Sequence, residues 1–125
     1  MPPAFWTIGC FSGAGSVMLG AFGAHGLRKR IQDPQRIANW STAAQYQLVH
    51  SCALTFASVC APQNMLAMGL FTAGMTMFSG SLYLLVLDPQ RWKWMGPVTP
   101  LGGLCLIGGW AALAFTKRPI LPKFK

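Results

Sequence analysis

The chain has 125 residues, 53% of them hydrophobic and only 10% charged, with a formal net charge of +8. A soluble domain carries roughly 25% charged residues, so this composition excludes an ordinary water-exposed globular surface. Two acidic residues in all leave acid–base catalysis few players and argue against an enzyme.

The length fits one domain. The charges fall in three blocks: Arg28, Lys29, Arg30, Asp33 and Arg36; Asp88, Arg91 and Lys93; and Lys117, Arg118, Lys123 and Lys125. Between the blocks only the two histidines are ionisable. A bilayer span needs about 20 mostly apolar residues, and four stretches qualify. Strands are disfavoured, because alternation is absent and a barrel would have to close all its edges.

The first span runs from about Ala4 to Leu27, with Phe5 and Trp6 as interfacial anchors. It lacks a positive region before its apolar run, so it is expected to be a retained span rather than a signal peptide. Asp33-Pro34 then resembles an N-cap followed by proline at the first helical position. The second helix is therefore expected to start near Pro34 and to enter the membrane from about Ala43 to Ala61, with Trp40 at headgroup level. Ala61-Pro62-Gln63-Asn64 forms a tight polar turn, and the third span runs from about Met65 to Leu87. Asp88-Pro89-Gln90 ends it, Trp92 and Trp94 anchor the interface, and Pro97 and Pro100 start a fourth span from about Val98 to Thr116.

The expected fold is an all-α membrane protein with four transmembrane helices in an up-down-up-down bundle, because short loops force neighbours to be antiparallel. Residues 1–116 form this domain and residues 117–125 a basic tail, which prolines keep extended. The first and third loops carry six Lys/Arg and the other side four, all in the tail. The positive-inside rule thus favours the cytoplasm or matrix for the two loops.

In lipid, close approach of helices through small residues replaces the hydrophobic drive of water. The first helix offers Gly9, Gly13, Ser16, Gly20 and Gly23; the third Gly69, Ala73 and Gly80; the fourth Gly102, Gly103 and Gly109. These stripes serve packing within the bundle, or some of them receive helices of other subunits. Replacing Gly20 with a bulky residue is expected to weaken packing.

Polar groups inside the membrane are costly unless paired, so they point to function by default. His25 closes the first helix, and Gln45, Tyr46, Gln47 and His50 occupy the first turns of the second span. The hairpin is expected to bring His25 towards this group. Three readings stand: a hydrogen-bonded knot locking the first two helices, a proton or ligand site, or a metal or haem site. Against haem, His50 lies about 10 Å deeper than the start of its span, from seven residues at 1.5 Å, while His25 is near its helix end. Zinc wants four ligands, and no carboxylate is near. No cofactor is therefore expected.

Cys10, Cys52, Cys60 and Cys105 include no C-x-x-C pair; they are expected to be small packing residues without disulfides. The net charge flanks spans rather than forming a soluble face, so nucleic acid is rejected as a partner. Arg28, Lys29 and Arg30, with Lys117, Arg118, Lys123 and Lys125, suit anionic headgroups such as cardiolipin, each worth about 1 kcal/mol near an anionic surface.

Gly20-Ala21-Phe22-Gly23-Ala24-His25-Gly26-Leu27, then Trp40, Ala43, Gln45-Tyr46-Gln47 and His50-Ser51, then Phe78-Ser79-Gly80-Ser81-Leu82-Tyr83, and finally Thr99-Pro100-Leu101-Gly102-Gly103 and Gly108-Gly109-Trp110 occur in that order. In this the chain resembles the transmembrane protein 256-like family, also called domain of unknown function 423, over nearly its whole length. The resemblance implies a small multi-pass protein of bacterial inner membranes and of mitochondria, and it supplies no catalytic residues. The basic, proline-containing tail extends past the family core. Two functions follow as expectations. The first is a non-catalytic accessory or structural subunit of a larger inner-membrane assembly, plausibly a mitochondrial respiratory-chain complex, whose partners are other membrane subunits and anionic phospholipid. The alternative is a small transporter, channel or ligand-binding protein using His25, Gln47 and His50. The expected location is the mitochondrial inner membrane, with a bacterial inner membrane as the alternative.

Overall fold

A computed structural model describes residues 3–117. Of the expected basic tail only Lys117 is included; Arg118, Lys123 and Lys125 lie outside the described residues. Four α-helices follow in order: α1 (Pro3–His25), α2 (Pro34–Cys60), α3 (Met65–Leu87) and α4 (Val98–Ala114), with short 3-10 turns at Leu27–Lys29 and Lys93–Met95.

The helix ends have local causes. The Asp33 carboxylate accepts from the Gln35 amide at 2.9 Å and Pro34 occupies the first helical position, which satisfies an orphan donor and presets φ. Asn64 caps α3 by accepting from the Ala67 amide at 3.0 Å, and its own amide donates to the Ala112 carbonyl of α4 at 2.9 Å. That one side chain thus fixes the start of α3 to the end of α4. Beyond α3, Asp88 accepts from the Arg91 amide at 3.2 Å.

Consecutive helices are antiparallel. Gly23 of α1 faces Trp40 of α2, and Gly9 faces Thr55. Ser79 donates to the Ala43 carbonyl at 2.7 Å, while His50 meets Phe71, so α2 and α3 also run in opposite senses. Between α3 and α4, Gly74 meets Leu106, and Gly102 meets Phe78. The main core, built on Ala53, Leu54, Ala57, Ala67, Met68, Phe71, Met75 and Leu106, joins α2, α3 and α4. A second cluster of Leu27, Trp40 and Val86 closes the loop end.

The four-helix architecture agrees with the sequence expectation, but its spans do not all qualify on the same ground. Three segments are long and apolar enough to cross a membrane: Ala4–Lys29, Met65–Leu87 and Lys93–Ala114. The expectation that four stretches qualify is cut back here to three: α2, at 27 residues, is long enough but is not among the segments apolar enough. It is partly covered by its neighbours, although Tyr46, Leu48, Val49, Phe56 and Val59 stay exposed. Trp40, Ala43, Ala44, His50, Ser51, Ala53, Leu54, Ala57 and Ser58 are buried, and the run Ala43, His50, Leu54 and Ala57 within them keeps the helical spacing of an inward face. The outer helices behave oppositely, with Phe11, Val17 and Met18 of α1 and Leu104 and Ile107 of α4 on the outer surface. The polar side chains His50, Ser51 and Ser58 of α2 thus sit where helices cover them, while the outer helices turn apolar side chains outward.

Candidate functional site

The buried polar groups of α2 form two sets on two sides of the helix. On the side of α1 and α3, the Gln47 amide donates to the Ser12 carbonyl at 2.9 Å and accepts from the Tyr83 hydroxyl at 2.8 Å. The Ser51 hydroxyl lies 2.9 Å from that of Ser12 and 2.6 Å from the Gln47 carbonyl. Both serines approach the Met75 sulfur, at 3.7 and 3.6 Å. Gln47 therefore ties three helices together through one side chain. A cleft of about 320 Å³ opens beside it, lined among others by Ser12, Gln47, Met75 and Tyr83.

On the other side, the His50 ring joins α2 to α4. Its Nδ1 lies 2.7 Å from the Tyr46 carbonyl oxygen, and its Nε2 lies 3.0 Å from the Trp110 indole nitrogen. A carbonyl can only accept and an indole N–H can only donate. The ring is therefore the neutral tautomer with its proton on Nδ1. Both nitrogens are occupied, so ligation of a haem or metal by His50 would first have to break one of these bonds. Among the described residues no group of three or more His, Cys, Asp or Glu is placed to hold a metal ion. Every buried side-chain nitrogen and oxygen among them has a hydrogen-bond partner.

The structure separates residues that the sequence reading joined. His25 stands at the exposed end of α1. The antiparallel register sets Gly13 beside Ser51, next to His50, and twelve residues at 1.5 Å put His25 about 18 Å further along the axis. The His25/Gln47/His50 cluster is thus corrected to two separate sets without His25. Gln45 is exposed and reaches only Ser41, at 3.4 Å. Tyr46 is exposed and stacks on His50 with ring centroids 5.8 Å apart.

Trp40 also departs from its expected place at the headgroups. It is 3% exposed, donates its indole N–H to the Leu19 carbonyl at 2.7 Å, and packs on Tyr83 with centroids 4.6 Å apart. Trp6 and Trp94 are exposed, as anchors should be. Cys10 and Cys52, expected to be packing residues, are exposed free thiols on the α1–α2 seam.

The glycines divide by what a Cβ would meet. At Gly9, Gly23, Gly102 and Gly109 it would collide with Thr55, Trp40, the Phe78 backbone and the Phe71 ring, respectively. At Gly13, Gly20 and Gly103 it would make ordinary contacts of 3.7 to 3.9 Å, which corrects the expectation of tight packing at Gly20. Ser16 is buried and donates to the Gly13 carbonyl at 2.6 Å. Nothing lies within 4 Å of a Cβ at Gly69 or Gly80, and Ala73 is exposed, so this stripe of α3 is not used within the chain. Arg28, Lys29 and Arg30 are exposed at the turn after α1, and Lys117 is exposed beyond α4.

Sequence reasoning missed Tyr83, Trp110 and Arg36. The first two are the polar aromatic groups of the apolar α3 and α4 runs, and that isolation was the available signal. Arg36 belongs by sequence to a loop charge block, yet its Nε donates at 3.1 Å to the Val86 carbonyl near the end of α3, with a second bond from its Nη2. A guanidinium satisfies such a terminal carbonyl well.

Comparison with known proteins identifies the chain's relatives. The profile of the family described as proteins of unknown function, DUF423, matches residues 19–103. A UPF0382 membrane protein of Schizosaccharomyces pombe is 40% identical over 114 residues, covering 86% of this chain and 96% of the relative. One from Staphylococcus aureus is 38% identical over 113 residues, covering 87% and 90%. One from Haemophilus influenzae is 32% identical over 122 residues, covering 92% and 94%. No solved structure matches. The profile covers more than half of the chain and the relatives most of it, and with three segments apolar enough to cross a bilayer the chain belongs to the DUF423/UPF0382 family of multi-pass membrane proteins.

Proposed function

We propose that the protein is a non-catalytic accessory subunit of a larger inner-membrane assembly, a respiratory-chain complex of mitochondria, with all four helices crossing the bilayer. The observation that carries this reading is the unused face of α3. Gly69, Ala73, Thr76 and Gly80 recur at i, i+4, i+7 and i+11, so they lie on one helix face. A Cβ at Gly69 or Gly80 would meet nothing within 4 Å. In lipid such a face lets a second backbone come close, where dispersion and weak hydrogen bonds reward contact. Both polar sets of α2 are already satisfied within the chain, which supports a role in holding the bundle together over one in chemistry. The relative in a yeast is compatible with a mitochondrial location, and the relatives in bacteria with an ancestral inner-membrane one. The exposed basic turn after α1 suits anionic headgroups such as those of cardiolipin.

Native electrophoresis of membranes in mild detergent tests the proposal. The protein is expected to migrate with partners at a mass well above 13.5 kDa. The double variant Gly69→Leu/Ala73→Leu is expected to keep the thermal stability of the isolated chain and to lose that co-migration. Migration of the unaltered protein alone would contradict the reading. A second reading, a ligand-binding or transport protein, draws on the cleft of about 320 Å³ beside Gln47 and Tyr83. It would gain if Tyr83→Phe abolished a solute flux in vesicles while co-migration survived.

A further inference from the structure

We propose that the outer seam between α1 and α2 is a binding groove for one acyl chain of an anionic phospholipid, with Arg28 taking its phosphate. Two cavities run end to end along this seam. One, of about 440 Å³, reaches from Ser16 to Ala24 on α1 and on to Arg28 in the turn that follows, and faces Trp40 to Leu48 on α2. The other, of about 570 Å³, continues from Val17 to Gly9 and faces Leu48 to Phe56. Val17 and Leu48 line both, so the groove is continuous.

Its shape follows from the sequence. The helices are drawn together near its ends, where Gly9 and Gly23 leave no room for a Cβ against Thr55 and Trp40. Between these points the rim residues on the α1 side include Gly20 and Ala21, with Ala24 just beyond, all too short to fill the space they border. Val17, Leu48 and Phe56 stand exposed as apolar walls. From Ser16 to the end of α1 at His25 is nine residues, or about 14 Å at helical rise, against about 15 Å for half of the hydrocarbon core, and Arg28 follows in the next turn. A chain lying in this part crosses one leaflet and presents its headgroup at Arg28.

Charge selects the occupant. Arg28 lines the mouth of the groove, and Lys29 and Arg30 follow it in the same turn. None of the three has a hydrogen bond or ion pair through its side chain among the described residues. The occupant should therefore carry negative charge at that end. A second copy of this chain is a poor candidate: it has two carboxylates, and both accept from backbone amides, Asp33 from Gln35 and Asp88 from Arg91. A phospholipid phosphate meets both requirements, an apolar body and an anionic head. The inference rests on α1 and α2 being embedded in the bilayer, and it does not require membership of an assembly.

The test is native mass spectrometry of the full chain in mild detergent, offered phosphatidylglycerol or phosphatidylcholine. One phosphatidylglycerol is expected to stay bound at an activation that strips phosphatidylcholine. Arg28→Gln should reduce that preference about fivefold, the effect of one basic residue near an anionic surface. Ala21→Trp, which plugs the groove from its exposed rim, should abolish the adduct at an unchanged thermal transition, and Ser41→Leu on the facing helix serves as an independent plug. Equal retention of the two lipids would overturn the proposal. So would an adduct indifferent to both plugs, which would place the lipid on the basic turn alone, or a dimer in place of the lipid adduct. Co-migration in native electrophoresis is read separately, so a failure here leaves the accessory-subunit reading standing or falling on its own result.

Discussion

Gly102→Leu is expected to force α4 off α3 and to destabilise the folded chain by about 3 kcal/mol or more, the upper range for overpacking a filled contact. A Cβ at Gly102 would collide with the backbone of Met77 and Phe78, and backbone cannot swing aside as a flexible side-chain end can. The Ser81–Thr99 hydroxyl pair and the Asn64 bond to Ala112 sit on either side of this contact along the same seam, so separation there loosens both. Gly69→Leu is the matched control on α3. It adds the same side chain where nothing lies within 4 Å, and it should leave the transition of the isolated chain within about 0.5 kcal/mol. Detergent-solubilised thermal unfolding, followed by helical signal, measures both. Equal effects of the two substitutions would show that the helices do not meet in this register.

Trp40→Ala is expected to be the second severe change, costing about 3 kcal/mol through the cavity it leaves. Trp40 contacts all three helices of the loop end: Gly23 and the Leu19 carbonyl on α1, Tyr83 on α3, and its own helix. Trp40→Phe should recover most of the packing and still lose the indole bond to Leu19. An interfacial anchor would behave differently, because its removal exposes no cavity and changes depth in the membrane more than stability. A loss below about 1 kcal/mol for Trp40→Ala would return this residue to the headgroup region.

The bundle was largely legible in the sequence because its signals are local. Charge-free runs bounded by Asp33-Pro34, Asn64 and Asp88 set helix limits that the structure reproduces, including Met65–Leu87 for α3. What stayed hidden depends on which face meets which neighbour. Gly69 and Gly102 look alike as small residues in apolar helices, yet one faces outward and the other touches backbone. His25 and His50 are both intramembrane histidines by sequence, but the hairpin register sets Ser12 against Gln47 and Ser51 and leaves His25 at the far end of α1, while His50 turns to Trp110 of α4. Trp40 has the composition of an anchor, and only the approach of Gly23 and Tyr83 makes it core. Gln47 was singled out correctly as a polar residue in α2, while its partner Tyr83 lies 36 residues away, beyond any local pattern.

α2, the most polar of the four helices, must cross the bilayer with its two polar sets packed against α1, α3 and α4. Side-specific labelling tests this most directly. In a background with the four native cysteines replaced, Gln35→Cys and Gln63→Cys mark the two ends of α2, and a membrane-impermeant maleimide is added to sealed, uniformly oriented vesicles. The prediction is that only one of the two positions reacts before the vesicles are opened. If both react from the same side, α2 does not cross, and the enclosure of its polar groups by α1, α3 and α4 cannot be the arrangement in the membrane.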